Sequence, residues 1–150
     1  MSQSLAQLYT HLVFSTKNRV PFINGEVHFA LRDYLGGILR GLDCQPLLVG
    51  SVSDHVHILY SQSKNRSLVD VIEDVKTSSS KWVKTQSEAF RDFHWQRGYG
   101  AFSVSASCLE AVRRYIVGQE AHHKKVTFQD EFRRFLKQYS IEYDERYVWD

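Results

Sequence analysis

The sequence predicts an α+β fold: a ferredoxin-like β-α-β-β-α-β antiparallel sheet with C-terminal helices, RRM-like in its layout. Three observations predict it. Four short runs, several rich in β-branched and aromatic residues, read as strands. Two longer stretches with apolar residues at helical spacing follow the first and the third of these runs. Helix-start signals then recur after the fourth.

Residues 5–16 are the expected first strand. Leu8, Thr10, Leu12 and Phe14 point to one face, and Tyr9, His11, Val13 and Ser15 to the other. Lys17-Asn18-Arg19-Val20-Pro21 breaks the strand. Asn24 is placed to cap a helix over 25–41, with Phe29, Leu31, Leu35, Ile38, Leu39 and Leu42 as its buried stripe. Residues 45–52 form the second strand. Ser53-Asp54 turns the chain into the third, which runs to Tyr60. Ser67-x-x-Asp70 opens a long helix through Val71, Ile72, Val75, Trp82 and Val83. Gly98-Tyr99-Gly100 punctuates a loop before a fourth strand at 101–105. Ser107-x-x-Glu110 is a capping box for a helix to about His123, and Thr127-x-x-Asp130 starts another to about Tyr139. The last stretch, 141–149, is aromatic and reads as extended.

A hydrophobic share of 43% and a charged share of 24% predict a folded globule, and 150 residues suit one domain over 1–150. Nineteen basic and 17 acidic residues give a net charge of +2. That balance neither demands nor excludes nucleic acid, so a basic surface has to come from clustering. Cys44 and Cys108 form no C-x-x-C unit, which argues against a zinc finger or a disulfide scaffold and suits a reducing cytosol. The opening Met1-Ser2-Gln3-Ser4 lacks a signal-peptide pattern, and no run is apolar enough to span a bilayer. The expected location is cytoplasmic, with no membrane partner.

The chemistry-bearing motif is His55-Val56-His57 on the third strand. Side chains alternate along a strand, so the two imidazoles share a face while Val56, Ile58 and Tyr60 reach the core. Two imidazoles on an apolar strand are costly unless something uses them, and a divalent metal ion is the obvious user. Two ligands do not fill a coordination shell. The helix after Ser107 supplies candidates for the rest: Tyr115 and Gln119 lie four residues apart on one face. Gln119 offers a hard oxygen ligand, and Tyr115 a phenol nucleophile. Gly118, between them, costs the helix about 1 kcal/mol against alanine and marks a hinge or a close packing point.

These residues carry a resemblance. His-hydrophobic-His at 55–57, Tyr115-Ile116-Val117-Gly118-Gln119, the opening strand Tyr9-Thr10-His11-Leu12-Val13-Phe14-Ser15-Thr16-Lys17 and the segment from Trp95 to Ser103 resemble the single-tyrosine HUH transposases of the smallest bacterial insertion sequences and their repeat-associated relatives. Gln119-Glu120-Ala121-His122-His123 and Thr127-Phe128-x-x-Glu131 fit the same pattern. The resemblance implies that His55, His57 and Gln119 bind Mg²⁺ or Mn²⁺. It implies that Tyr115 attacks a phosphate of single-stranded DNA beside a hairpin, leaving a 5′-phosphotyrosine that a free 3′-hydroxyl later reverses. It also implies a homodimer whose active sites can be shared between chains. Ligand chemistry alone would suit Zn²⁺ or Mn²⁺ at least as well as Mg²⁺.

Candidate DNA contacts are Lys17, Arg19, Trp95, Arg97, Arg113 and Arg114, with Lys76, Lys81, Lys84, Lys124 and Lys125 adding to the basic clusters. His11 is expected to be a satisfied sheet histidine, and Glu120, His122 and His123 to be hydrated surface. Three rival readings remain. A nucleotide transferase of the H-x-H-x-H type is disfavoured because Leu59 occupies the third place. A non-catalytic RRM-like module leaves His55, His57, Tyr115 and Gln119 without a task. A host-recruited protein that nicks or binds hairpins keeps the chemistry without the mobility.

Overall fold

The computed structural model describes residues 2–123 and 125–150. Its elements follow the expected order: β1 (Tyr9–Ser15), α1 (Gly25–Gly41), β2 (Gln45–Val52), β3 (His55–Ser61), α2 (Leu68–Gln86), β4 (Gly100–Val104), α3 (Leu109–Val117), α4 (Gln119–His122) and α5 (Phe128–Gln138). The sheet order is β2-β3-β1-β4, all antiparallel, as the ferredoxin-like layout requires.

Alternation along the strands builds two different faces. Leu12 and Phe14 of β1, with Val56, Ile58 and Tyr60 of β3, meet Leu31, Leu35 and Leu39 of α1 and Val71, Ile72 and Val75 of α2 in the main core. The opposite face carries His55, His57 and Leu59, with His11 and Val13 beside them, and α3, α4 and α5 pack there. Two glycines let those helices approach. A Cβ at Gly50 would stand 2.5 Å from Ile116 of α3, and one at Gly100 2.8 Å from Phe132 of α5.

Several expectations shift. The buried row of α1 is Val27, Leu31, Leu35, Leu39, and Phe29 points away at 66% exposure. At 100° per residue Phe29 lies about 200° round from Val27, so the core cannot reach it. Asn24 precedes α1 but makes no side-chain cap; its amide bonds the Pro21 carbonyl instead. Ser67 and Thr127 do cap α2 and α5, accepting from the backbone N–H of Asp70 and Asp130. The capping box at Ser107 is not formed. Its hydroxyl bonds that of Ser105, a short 3₁₀ turn covers Ala106–Cys108, and α3 begins at Leu109. The expected continuous helix to His123 is split at Gly118, the weakest helix former in the stretch. The last residues are turned rather than extended, with Tyr147 and Val148 N–H groups both bonding the Asp144 carbonyl, and Val148 and Trp149 packing onto α5.

Candidate active site

The β3 histidines are fully buried, and their partners come from three separate elements. Asp54, in the β2–β3 turn, receives the His55 Nδ1 bond at 2.6 Å. His11, across the sheet on β1, places Nε2 2.8 Å from His57 Nδ1. The remaining ring nitrogens both face Glu131 of α5: His57 Nε2 lies 2.9 Å from Oε1, and His55 Nε2 lies 3.5 Å from it and makes no hydrogen bond. The other carboxylate oxygen, Oε2, lies 3.1 Å from His123 Nε2 and 3.4 Å from His122 Nε2, and accepts the Tyr115 hydroxyl. One carboxylate thus collects four imidazoles and a phenol.

Tyr115 and Gln119 are brought to this point despite the break at Gly118. The Tyr115 ring lies 5.8 Å from that of His57, within one chain. Gln119 is buried; its Nε2 donates to the Tyr115 carbonyl and its Oε1 bonds His123 Nε2 at 2.7 Å. Gln119 thus borders the histidine group, its Oε1 on the same His123 Nε2 that faces Glu131. His55, His57, His123 and Glu131 each offer a ligand atom within 4.8 Å of the others.

Electrostatics follow from burial and from this carboxylate. Burial pushes Glu131 up, but hydrogen bonds from His123 and His57 and the nearby His55 imidazole outweigh it and hold the carboxyl below the usual range. Burial keeps His57 neutral, below its ordinary value. Burial also opposes charge on His55, yet Asp54 and Glu131 together raise it. His11 falls to about 3 through burial and its neighbour His57. Burial, then the negative Glu131, raises the Tyr115 phenol.

His122 and His123, expected at the hydrated surface, instead face Glu131, a residue with no expected role. A signal existed for Glu131: it interrupts the apolar row Phe128, Phe132, Leu136 on the inward face of α5, and it is buried there. Glu120 is exposed and lies outside the ligand cluster. Of the expected DNA contacts, Lys17, Arg97 and Arg114 are exposed, and Arg19 and Arg113 half-buried. Trp95 has no ring face left for a base: it is buried between Phe14 and Phe93, and its indole N–H donates to Ser79. Lys76 is committed as well, donating to the carbonyls of Gln96, Arg97 and Gly98. Lys124 lies outside the described residues.

A family model described as "Transposase IS200 like" matches residues 4–119, from before β1 through Gln119. The chain belongs to the IS200-like transposases. Among curated proteins it is 25% identical to the ISDra2 transposase TnpA of Deinococcus radiodurans over 124 residues, covering 79% of this chain and 86% of that one. Its fold is similar to a crystal structure of a candidate transposase from D. radiodurans R1, with TM-score 0.62 and 21% identity over 79% of this chain and 98% of that one. It is also similar to a tyrosine transposase associated with REP sequences, solved bound to a REP hairpin, with TM-score 0.58 and 13% identity over 84% and 76% of the two chains. The family match ends at residue 119, so His122, His123 and Glu131 lie beyond the part an IS200-like transposase is matched on.

Proposed function

We propose that this IS200-like transposase, acting as one domain over 1–150 in the cytoplasm, cleaves and rejoins hairpin-flanked single-stranded DNA through a 5′-phosphotyrosine at Tyr115. The observation that carries the reading is the meeting of Tyr115 with both β3 histidines at one buried carboxylate. The hairpin partner is supported by the likeness to the REP-bound transposase.

The donor set fits a divalent cation. His55 Nε2 is buried without a hydrogen-bond partner, and it faces an ionised carboxylate beside two further imidazoles. His55, His57, His123 and Glu131 would hold the ion, with Gln119 orienting His123 or exchanging with it as an oxygen ligand. Three nitrogens and one oxygen suit Mn²⁺ better than the Mg²⁺ that the family resemblance also allows. When bound, the cation would polarise a non-bridging oxygen of the scissile phosphate.

The chain's own groups do the rest. Glu131 Oε2 already accepts the Tyr115 hydroxyl, so it takes the phenolic proton as the tyrosine oxygen bonds to phosphorus. The bond from phosphorus to the 3′-oxygen breaks, and that oxygen leaves as a hydroxyl with the proton that Glu131 gives up, directly or through solvent. Reversal is easy because a phenolate, with a reference pKa of about 10, leaves far better than an alkoxide. Tyr115 reaches the histidines of its own chain, so one copy holds a complete set of groups. The resemblance also implies a homodimer whose active sites can be shared between chains. A second reading is a host-recruited nicking protein, which would cleave hairpin DNA without transferring it.

The test is a labelled hairpin oligonucleotide with Mn²⁺ or Mg²⁺, denatured in SDS. Wild type forms a covalent adduct; Tyr115→Phe and His57→Ala do not. An adduct that survives Tyr115→Phe overturns the assignment. Adding a free 3′-hydroxyl strand separates the two readings, since only a transposase passes the bound strand to it.

A further inference from the structure

Phe29 exposes its ring on the first turns of α1 with no apolar neighbour that explains it. It lines a cleft of about 540 Å³ that wraps the end of edge strand β2 and opens on His123 of the active site. Polar groups are fixed behind the ring. His28 Nδ1 bonds the Ser51 hydroxyl at 3.0 Å and its Nε2 meets Arg32 Nη2 at 2.7 Å. Arg32 also donates Nε to the Ser51 hydroxyl and Nη2 to the Ser51 carbonyl, both at 3.1 Å. The guanidinium is held 5.7 Å from the Phe29 centroid, and its Nη1 makes no hydrogen bond among the described residues. Glu120, on α4, adds a carboxylate to the same cleft.

We propose that this cleft seats one nucleobase of the substrate strand next to the scissile phosphate, stacked on the face of Phe29 that Arg32 leaves free and met at its edge by the Glu120 carboxylate. The inference rests on the DNA-cleaving reading of the Tyr115 site and adds a specificity subsite to it. A free aromatic face is the general means by which proteins hold an unpaired base. The charge pattern selects a base over a phosphate, because the carboxylate lining the cleft, Glu120, is an acceptor for a base's amino group. A base edge offers such donors, whereas a phosphate would be repelled by the carboxylate. The position beside His123 fixes which base it is: one adjoining the bond that Tyr115 attacks.

The probe is the hairpin oligonucleotide carrying a single abasic site, moved one position at a time through the nucleotides flanking the cleaved bond. Wild type should lose adduct formation by about five- to a hundredfold at one flanking position, the range expected for one base–aromatic stack. Phe29→Ala should lose a similar factor on the intact strand and show no further loss at that position; Phe29→Tyr should keep the wild-type profile. Phe29 is a surface residue, so the variant folds. A Phe29→Ala protein with wild-type rates, or one that keeps the abasic drop, overturns the cleft. Absence of any adduct with wild type overturns instead the role given to Tyr115.

Discussion

The two faces of one sheet bury side chains for opposite reasons. Towards α1 and α2 the strands present Leu12, Phe14, Val56, Ile58 and Tyr60, and the helices meet them chiefly with Leu, Val and Ile side chains. Towards α3, α4 and α5 the same two central strands bury His11, His55 and His57, and the helices answer with Glu131, Gln119 and His123. The first face gains stability from each methylene it covers. The second removes polar groups from water and recovers the cost only through hydrogen bonds, which His55 Nε2 still lacks. One face therefore tolerates apolar exchange and fixes the fold; the other is poised to accept a cation and to act.

The largest contrast should come from one variant on each face. Leu35→Ala, in the main core, is expected to cost about 2–5 kcal/mol of unfolding free energy by urea titration. Per folded molecule it should leave the DNA adduct intact. Tyr115→Phe is expected to abolish the adduct while costing no more than about 1.5 kcal/mol, since Glu131 keeps its imidazole partners. A Leu35→Ala protein that folds and yet forms no adduct would break the division between the faces.

Metal addition sharpens it. Mn²⁺ at a hundred times its dissociation constant should raise the stability of the wild type by about 2.7 kcal/mol, since it binds only the folded site. Leu35→Ala should keep the whole gain, and His57→Ala should lose it. Thermal melts with and without the ion, or with a chelator, read this directly.

The division between the faces was legible in the sequence where it depends on local spacing. The period of two along 55–60 put His55 and His57 together, and the helix starts at Ser67 and Thr127 are written in their own side chains. What lay beyond reach was the long-range partner. Glu131 stands 74 residues from His57, and no local pattern links them. The exposure of Phe29 was hidden for a different reason. A helix whose apolar residues include Val27, Phe29, Ile38 and three leucines offers more than one plausible stripe, and only the packing of Val27, Leu31, Leu35 and Leu39 against the sheet decides which one turns inward. Trp95 failed in the other direction: an aromatic beside basic residues looked like a base-stacking group, but Ser79 and Phe14 claim it.

Acid should act chiefly through the polar face. His11 titrates at about 3 when folded and at 6.5 as a free side chain. Between those values the unfolded chain binds a proton that the folded one refuses, so stability falls as pH drops from 6.5 towards 3. His57 and His122, also lowered by burial, add to the same slope. His11→Gln should flatten this acid slope relative to wild type in urea titrations from pH 7 to pH 4. An unchanged slope would mean that His11 does not carry the protonation cost.

The smallest effect tests whether the faces can be told apart by function alone. Ser67 and Thr127 each cap a helix with one side-chain hydrogen bond, at 3.1 and 3.2 Å. Replacing either with alanine should cost about 1 kcal/mol. The two losses are equal in stability but not in consequence. Ser67 steadies α2 against the apolar core, whereas Thr127 steadies the first turn of α5, four residues before Glu131. Thr127→Ala should therefore weaken Mn²⁺ binding and slow adduct formation several-fold, while Ser67→Ala leaves both unchanged. Equal effects on ion binding would show that the carboxylate is held by its histidines and not by the helix that carries it.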